Sequence, residues 1–490
     1  MKGQNKKKSM FSTLPGSSKE FMDWSWDRIE PYYKELSGRR LREGNIALWL
    51  SDWSSLRELI YETYNRLYVA TTMDTTDPEI HRRYTAFLDD IFPFAQKADQ
   101  ALKEKLLASG LSVRGFEMPL QNMRAEADLF RDVNVNLLSS ELKLSNEYDV
   151  IIGAQTVEWD GKEVTLPQLA PVYQDSDRER RERAWRLAMQ RFLADREPIN
   201  DLWGRLLEVR SQLAENSGRK NYRDYRWQQL LRFDYTPEDS ARFREAIYEV
   251  AVPAARRIQE KRRRDLGVEL LRPWDLDVDP HQRPPLRPFK TIGELEEKSS
   301  AIFHRVDPQL GAYFDTMRRE GLLDLENRKG KAPGGYCIDF PAVRKPFIFA
   351  NSVGIHDDVQ TMLHEAGHAF HVFEAGRLPY HQQLLVGAEI AEVASMAMEL
   401  LSAPYLEATA GGFYTPQDAA RAQVEHLVQV VLFWPYMAVV DGFQHWVYEN
   451  QEQAADPNRC DAEWARLWDR FMPVVDWSGL EQEKATGWHR

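Results

Sequence analysis

The sequence contains little cysteine, with only Cys337 and Cys460 in a chain of 490 residues. A disulfide framework needs more cysteines, so the composition favours a reducing compartment, and we expect a cytoplasmic location. The N-terminus also lacks the continuous apolar stretch of a secretory signal, because residues 9–19 are mostly polar and include Pro15 and Gly16. We therefore expect neither secretion nor a fold held by disulfides.

Long hydrophobic runs and an excess of positive charge are also missing. The most apolar run, Leu427–Val440, is interrupted by Gln429 and Pro435 and is too short to span a bilayer, so we expect no membrane partner. The formal net charge is −12 with a pI near 5.6, which argues against nucleic-acid binding. In contrast, 43% of the residues are hydrophobic and 15 are tryptophan, as expected of a folded protein.

Most of the chain has apolar residues at three- and four-residue spacing with few glycines, which predicts a mostly α fold. The longest such stretches are Asp23–Val69, His81–Ser109, Asp175–Asn216 and Pro237–Arg264. Five prolines occur between Leu271 and Pro288, which favours a long connector. Because 490 residues exceed what a single core usually serves, we predict an N-terminal helical lobe over residues 1–270 and a catalytic domain over residues 271–490.

Two short segments have the alternation of β-strands. In the first, near residues 150–166, an Asp160-Gly161 pair separates two such runs, which indicates a hairpin. In the second, residues 329–349, alternating apolar residues follow Gly334 and Gly335. Small β pieces in a helical protein have exposed edges, and a peptide substrate is one partner that could pair with such an edge.

The strongest motif is His364-Glu365-Ala366-Gly367-His368, inside a predicted helix over residues 357–376. Asp357 would cap its start, and Gly376 would end it in a left-handed conformation. Residues four apart lie on one helical face, so His364 and His368 can share one Zn²⁺ ion. Glu365 projects beside them, placed to take a proton from a water activated at the metal.

A hydrolytic zinc site needs a third protein ligand, and a second predicted helix, Leu384–Leu401, offers three carboxylates. Spacing ranks Glu392 first as the ligand, Glu389 second and Glu399 third. Glu399 also suits a supporting role, in which it accepts the free N–H of a ligand histidine. Small residues on both helices, including Gly367, would allow the two backbones to approach closely.

His371 lies seven residues after His364 and so shares its face. It could be a further ligand, a substrate contact or a structural histidine. Because it lies one turn beyond the motif, we favour a role other than metal binding.

These segments resemble the oligoendopeptidase F and thimet oligopeptidase family of zinc metallopeptidases, of the gluzincin type. The match includes His364–His368 with Phe370-His371, Ala391–Ser395 with Glu399 seven residues after Glu392, and Arg328–Tyr336. The resemblance implies a two-lobed helical fold with a deep central channel, one zinc per chain, Glu392 as third ligand and cleavage of short peptides. It also implies that Gly335 and Tyr336 lie beside the bound peptide.

The chain differs from that family at its end. Family members continue past a Gly-Trp-His-Arg stretch into a segment that contacts the substrate, whereas this sequence ends at Gly487–Arg490. We therefore expect a truncated C-terminus. Two alternatives to an active endopeptidase follow: an impaired or inactive remnant that binds zinc or peptide, and a related zinc carboxypeptidase.

Overall fold

Helices account for 70% of the structure, a computed structural model that describes residues 10–489, and the predicted mostly α fold is confirmed. Arg490, the last residue of the Gly487–Arg490 stretch, lies outside the described residues.

Residues 10–153 form seven α-helices, of which the long helix α3 buries Trp49 and Trp53 completely. Aromatic side chains of this size bury the most apolar area per residue, so they dominate the stability of such a core. The helices are α1 Ser18–Phe21, α2 Trp26–Gly38, α3 Ile46–Met73, α4 Pro78–Asp90, α5 Phe92–Ser109, α6 Glu117–Leu129 and α7 Val135–Gly153.

The middle of the chain begins with the predicted hairpin and continues as helices. Strands β1 (Thr156–Trp159) and β2 (Lys162–Thr165) pair antiparallel, and Asp160 and Gly161 both have positive φ angles, as the tight turn requires. The following helices are α8 Ala170–Tyr173, α9 Arg178–Ala194, α10 Arg196–Asn216, α11 Tyr222–Gln229, α12 Pro237–Ala246 and α13 Val252–Leu266.

The last part of the chain contains the His364–His368 motif and a second small sheet. Its strands are β3 Leu323–Glu326, β4 Tyr336–Phe340 and β5 Lys345–Ser352, in the order β3-β5-β4. The helices are α14 Ile292–Val306, α15 Pro308–Glu320, α16 His356–Ala375, α17 Ala388–Ser402, α18 Pro416–Glu449, α19 Gln451–Ala454, α20 Pro457–Phe471 and α21 Glu481–Ala485.

Strand β4 lies at an edge of this sheet. It pairs antiparallel with β5, with Tyr336 opposite Phe349 and Phe340 opposite Lys345, and no other strand of the described residues pairs with it. Strand β5 leads almost directly into α16, so the sheet positions the start of the motif helix. The small β element predicted beside the motif is therefore present.

The predicted connector has neither an α-helix nor a strand between Leu271 and Pro288, only a 3₁₀ turn at Pro273–Asp275. The connector does not separate the hydrophobic cores, because one core contains residues from both sides of it. Leu207 and Val252, before the connector, share a core with Val439 and Trp464, after it. The boundary at residue 270 stays a prediction.

Helix α18, Pro416–Glu449, extends beyond both ends of the apolar run Leu427–Val440. By length and composition it could cross a membrane, since its most apolar 18-residue window has a mean hydropathy of 1.3 and one third of that window is buried. However, α18 also packs against α20 in a shared core, and a core helix meets the same criteria. Its exposed apolar residues include Val424, Leu427, Val430 and Trp434.

Candidate metal centre

The start of α16 is fixed by Asp358. Its Oδ2 accepts hydrogen bonds from the backbone N–H groups of Val353, Gly354 and Ile355, at 2.8, 2.7 and 2.9 Å. The prediction that Asp357 caps this helix is therefore wrong. Three converging donors bind the carboxylate one residue later and tie the helix to the short loop that follows β5.

The end of α16 also differs from the prediction. Gly376 has φ −57° and ψ −12°, which is right-handed, so its expected left-handed conformation is wrong. The chain continues through a further turn, in which the Arg377 and Leu378 N–H groups bond to the carbonyls of Glu374 and Ala375.

The side chains of His364, His368 and Glu392 converge. One donor atom from each lies within 4.8 Å of the other two. His364 Nε2 is 3.3 Å from Glu392 Oε2, and His368 Nε2 is 3.7 Å from Glu392 Oε1. Ligands about 2 Å from a tetrahedral Zn²⁺ ion lie roughly 3.3 Å apart, so the donor set fits zinc in both chemistry and spacing.

Helices α16 and α17 approach closely because Gly367 has no side chain. A Cβ atom at this position would lie 2.5 Å from the Ala394 carbonyl oxygen and 2.6 Å from Ser395 Cα. The predicted role of Gly367 in close helix packing is confirmed. Contact between the two backbones lets a carboxylate from α17 reach the histidines of α16.

The three carboxylates of α17 occupy different surroundings. Glu389, the second-ranked candidate ligand, accepts hydrogen bonds from Arg232 Nε at 3.0 Å and from the Tyr235 hydroxyl. Glu392 is instead oriented by Ser395, whose hydroxyl donates to Glu392 Oε2 at 2.8 Å. The structure therefore places Glu392, and not Glu389, with the two histidines.

Glu399 lies behind the metal-binding atoms. Its Oε1 is 2.6 Å from His364 Nδ1, so the ionised carboxylate accepts the Nδ1–H and leaves Nε2 with the lone pair that a metal requires. Its other oxygen, Oε2, is 3.3 Å from Nε2 of His426, a residue of α18. Sequence reasoning missed His426, because nothing in the spacing of α18 relates it to a motif 58 residues upstream.

Glu365 lies against strand β4. Its carboxylate accepts a hydrogen bond from the backbone N–H of Cys337, and its Oε2 is buried without a hydrogen-bond partner among the described residues. Burial raises the pKa of Glu365 to about 7, and the negative charge of Glu392 contributes in the same direction. A carboxylate with a pKa in this range can both accept and release a proton near neutral pH.

The two motif histidines have opposite pKa shifts. Burial lowers the pKa of His368, and the nearby charge of His371 acts in the same direction. Burial also acts to lower the pKa of His364, but the hydrogen bond to Glu399 and the surrounding carboxylates raise it overall. His371 itself lies outside the group of converging donor atoms.

Two of the three candidate substrate contacts, Gly335 and Tyr336, differ in accessibility. Gly335 is exposed, and a Cβ atom there would lie 3.8 Å from Glu365 Oε1. The Tyr336 ring stacks on Phe349, and its hydroxyl is 2.5 Å from the Thr72 hydroxyl. The Tyr336 side chain thus packs between elements of the fold, and its backbone remains the part that could contact a peptide.

Solved structures share this architecture. PZ peptidase A, determined with an inhibitor, superimposes with a TM-score of 0.89 at 27% identity, over 98% of this chain and 84% of its own. A protein assigned as an oligoendopeptidase F gives 0.90 at 25% identity with the same coverage. A Bacillus anthracis protein with that assignment gives 0.85 at 24% identity, over 94% of this chain and 84% of its own, and is similar in fold. No curated protein sequence shows significant similarity to the chain.

The sequence model of one family covers the metal centre and most of the chain. The match to peptidase family M3 extends over residues 172–488, which includes both motif helices and the three-stranded sheet that precedes them. Together with the fold and the converging donors, this match shows that the chain belongs to the M3 family of metallopeptidases.

Proposed function

We propose that the protein is a zinc-dependent endopeptidase that hydrolyses short oligopeptides in the cytoplasm. The observation that carries this proposal is the convergence of His364, His368 and Glu392 beside the buried, incompletely hydrogen-bonded carboxylate of Glu365.

Three residues would hold the zinc ion and two would orient them. His364 and His368 offer Nε2, and Glu392 offers a carboxylate oxygen, while Ser395 and Glu399 fix the ligands from behind. Zinc bound here would supply Lewis acidity for activation of water and of the scissile carbonyl.

Glu365 is proposed as the general base. It would take a proton from the attacking water and later deliver it to the departing amine nitrogen. Its pKa of about 7 suits both steps, and the Cys337 N–H holds the carboxylate in position. A positioned general base typically contributes about 10²–10⁴-fold to the rate.

The free edge of β4 supports a path for the peptide. Because the Cys337 N–H bonds to Glu365, this side of the strand faces the metal centre and not β5. Gly335, two residues earlier and exposed, points its backbone to the same side by the alternation of a strand. An extended substrate could pair with this edge near Gly335, close to Glu365.

The test compares wild-type protein with Glu365→Gln, which keeps the size of the side chain and removes its charge. We expect one zinc per chain by elemental analysis in both proteins, and cleavage of an internally quenched peptide by the wild type alone, with a loss of at least 10²-fold. Normal cleavage by Glu365→Gln would disprove the base assignment.

Peptide design separates the remaining alternatives. A substrate blocked at its C-terminus is still cut by an endopeptidase but not by a carboxypeptidase. A wild-type protein that binds zinc and peptide without turnover would be the inactive form.

The cytoplasmic location is supported by the two cysteines, Cys337 and Cys460, neither of which forms a disulfide.

A further inference from the structure

Glu399 is held from two sides by histidines of two different helices. Its Oε1 contacts His364 Nδ1 at 2.6 Å, and its Oε2 contacts His426 Nε2 at 3.3 Å. The Glu399 and His426 side chains are only 15% and 10% exposed. One carboxylate therefore connects α18 to a histidine of the metal-binding motif.

Helix α18 is itself fixed against α16 close to this contact. His356, the first residue of α16, lies within hydrogen-bond distance of the Tyr414 hydroxyl, at 2.7 Å, and bonds to the backbone of Ala422. Ala422 is fully buried and lies four residues before His426, so both face the same neighbouring helices. The position of the His426 ring is thus set by packing of α18 and not by a flexible loop.

A glutamate has three rotatable side-chain bonds, so the hydrogen bond to His364 alone does not fix its carboxylate. A second contact from another rigid helix restricts these rotations and so reduces the entropy cost of holding the His364 ring in place. On the same helix Arg421 pairs with Glu425, whereas Glu399 links His426 to His364 of the metal centre.

We propose that His426 is a positioning residue of the metal centre, which acts on zinc binding through Glu399 and His364. This inference rests on the proposed zinc-dependent function. It assigns a role to α18, a helix that supplies none of the metal-binding atoms.

The experiment measures zinc affinity of the full chain by competition with a chromophoric chelator. His426→Leu removes the contact, and we expect a roughly tenfold weaker Kd, at the lower end of the range for outer-shell partners of metal ligands. His426→Gln places an amide nitrogen close to the position of Nε2 and should retain affinity near that of the wild type. His426→Asn keeps a polar group but is too short, and it provides a second loss variant if His426→Leu folds poorly.

His445→Leu is the matched control. His445 is on the same helix and is similarly buried, at 9% side-chain exposure, but it contacts Asp441 and Trp227 and no residue of the metal centre. Its removal should leave zinc affinity unchanged even where the thermal unfolding midpoint falls. A comparable loss of affinity in His445→Leu would show that the effect is one of general stability, and would overturn the proposal.

A double variant tests the route through Glu399. If His426 acts through this carboxylate, His426→Leu should cause no further loss in a Glu399→Gln background. A full tenfold loss on top of Glu399→Gln, or wild-type affinity in the single His426→Leu variant, would overturn this inference alone. Wild-type protein that binds no zinc would overturn the proposed function as well, so the two failures are distinguishable.

Discussion

The Nδ1 atom of His364 and the Oε1 atom of Glu399 are 2.6 Å apart, which joins the motif helix α16 to α17 directly behind the metal-binding atoms. The carboxylate fixes the ring orientation and keeps the proton on Nδ1. Glu399→Gln keeps an acceptor oxygen but removes the charge, so we expect zinc affinity to fall about 10- to 100-fold. Chelator competition measures this loss, and unchanged affinity would mean that His364 does not depend on Glu399.

Glu392 and Glu389 form a matched pair for the identity of the third ligand. Both side chains are 47% exposed and both lie on α17, one turn apart. Glu392→Gln removes the proposed third ligand and should greatly reduce the zinc content of the purified protein. Glu389→Gln loses only its contacts to Arg232 and Tyr235 and should retain one zinc per chain. The reverse pattern in elemental analysis would assign the ligand to Glu389.

Gly367→Ala tests the contact between the two motif helices. The new Cβ would lie 2.5 Å from the Ala394 carbonyl oxygen, so the helices must separate, at a cost of about 1–3 kcal/mol. We expect a lower thermal unfolding midpoint together with weaker zinc binding. Gly204→Ala is the control, because Gly204 lies inside α10 with no heavy atom within 4 Å of a new Cβ. There the alanine should stabilise the helix by up to about 1 kcal/mol.

His356 should contribute to acid sensitivity. Burial lowers its pKa to about 4, and the nearby positive charge of His426 adds to this effect, whereas an unfolded histidine has a pKa of about 6.5. Between these values the unfolded chain binds a proton that the folded chain does not, so stability falls as the pH decreases from 6.5 to 4. The loss should reach about 2–3 kcal/mol at pH 4.5.

The measurement for His356 is the thermal unfolding midpoint at pH 7.0 and pH 4.5, with metal chelated at both. His356→Gln should be less stable than the wild type at pH 7.0 because its hydrogen bonds change, but it should lose less stability on acidification. His281→Gln, at an exposed position, is the control and should show the wild-type pH dependence. An equal pH dependence of the unfolding midpoint in all three proteins would show that His356 does not contribute to acid sensitivity.

The features that the sequence could predict are those that depend on local spacing. Four-residue spacing places His364 and His368 on one face of a helix, and an Asp-Gly pair specifies the turn at Asp160 and Gly161. Spacing ranks Glu392 ahead of Glu389 as the third ligand, and the family resemblance supports that ranking more strongly than spacing does. The contacts that occupy Glu389 could not be predicted from spacing, because Arg232 and Tyr235 come from a segment more than 150 residues away.

Features that depend on tertiary packing were beyond a sequence-based prediction. His426 reaches Glu399 because the start of α18 shares a core with α16 and α17, and no periodicity within α18 reveals that contact. Asp357 was predicted to cap α16, but the helix begins at His356, and Asp358 in its first turn accepts from three N–H groups of the preceding loop. Strand β3 was missed because its four residues form a parallel pair with β5, which local alternation cannot show.

The contacts of Glu389 also have a mechanical consequence. They attach the first turn of α17 to the segment Arg232–Tyr235, and Glu392 lies one turn further along the same helix. The histidines, in contrast, are on a helix that Asp358 anchors to the loop after β5. A displacement of Arg232–Tyr235 would therefore act on the Glu392 carboxylate through α17 itself, whereas it would reach the two imidazoles only across the contact between α17 and α16.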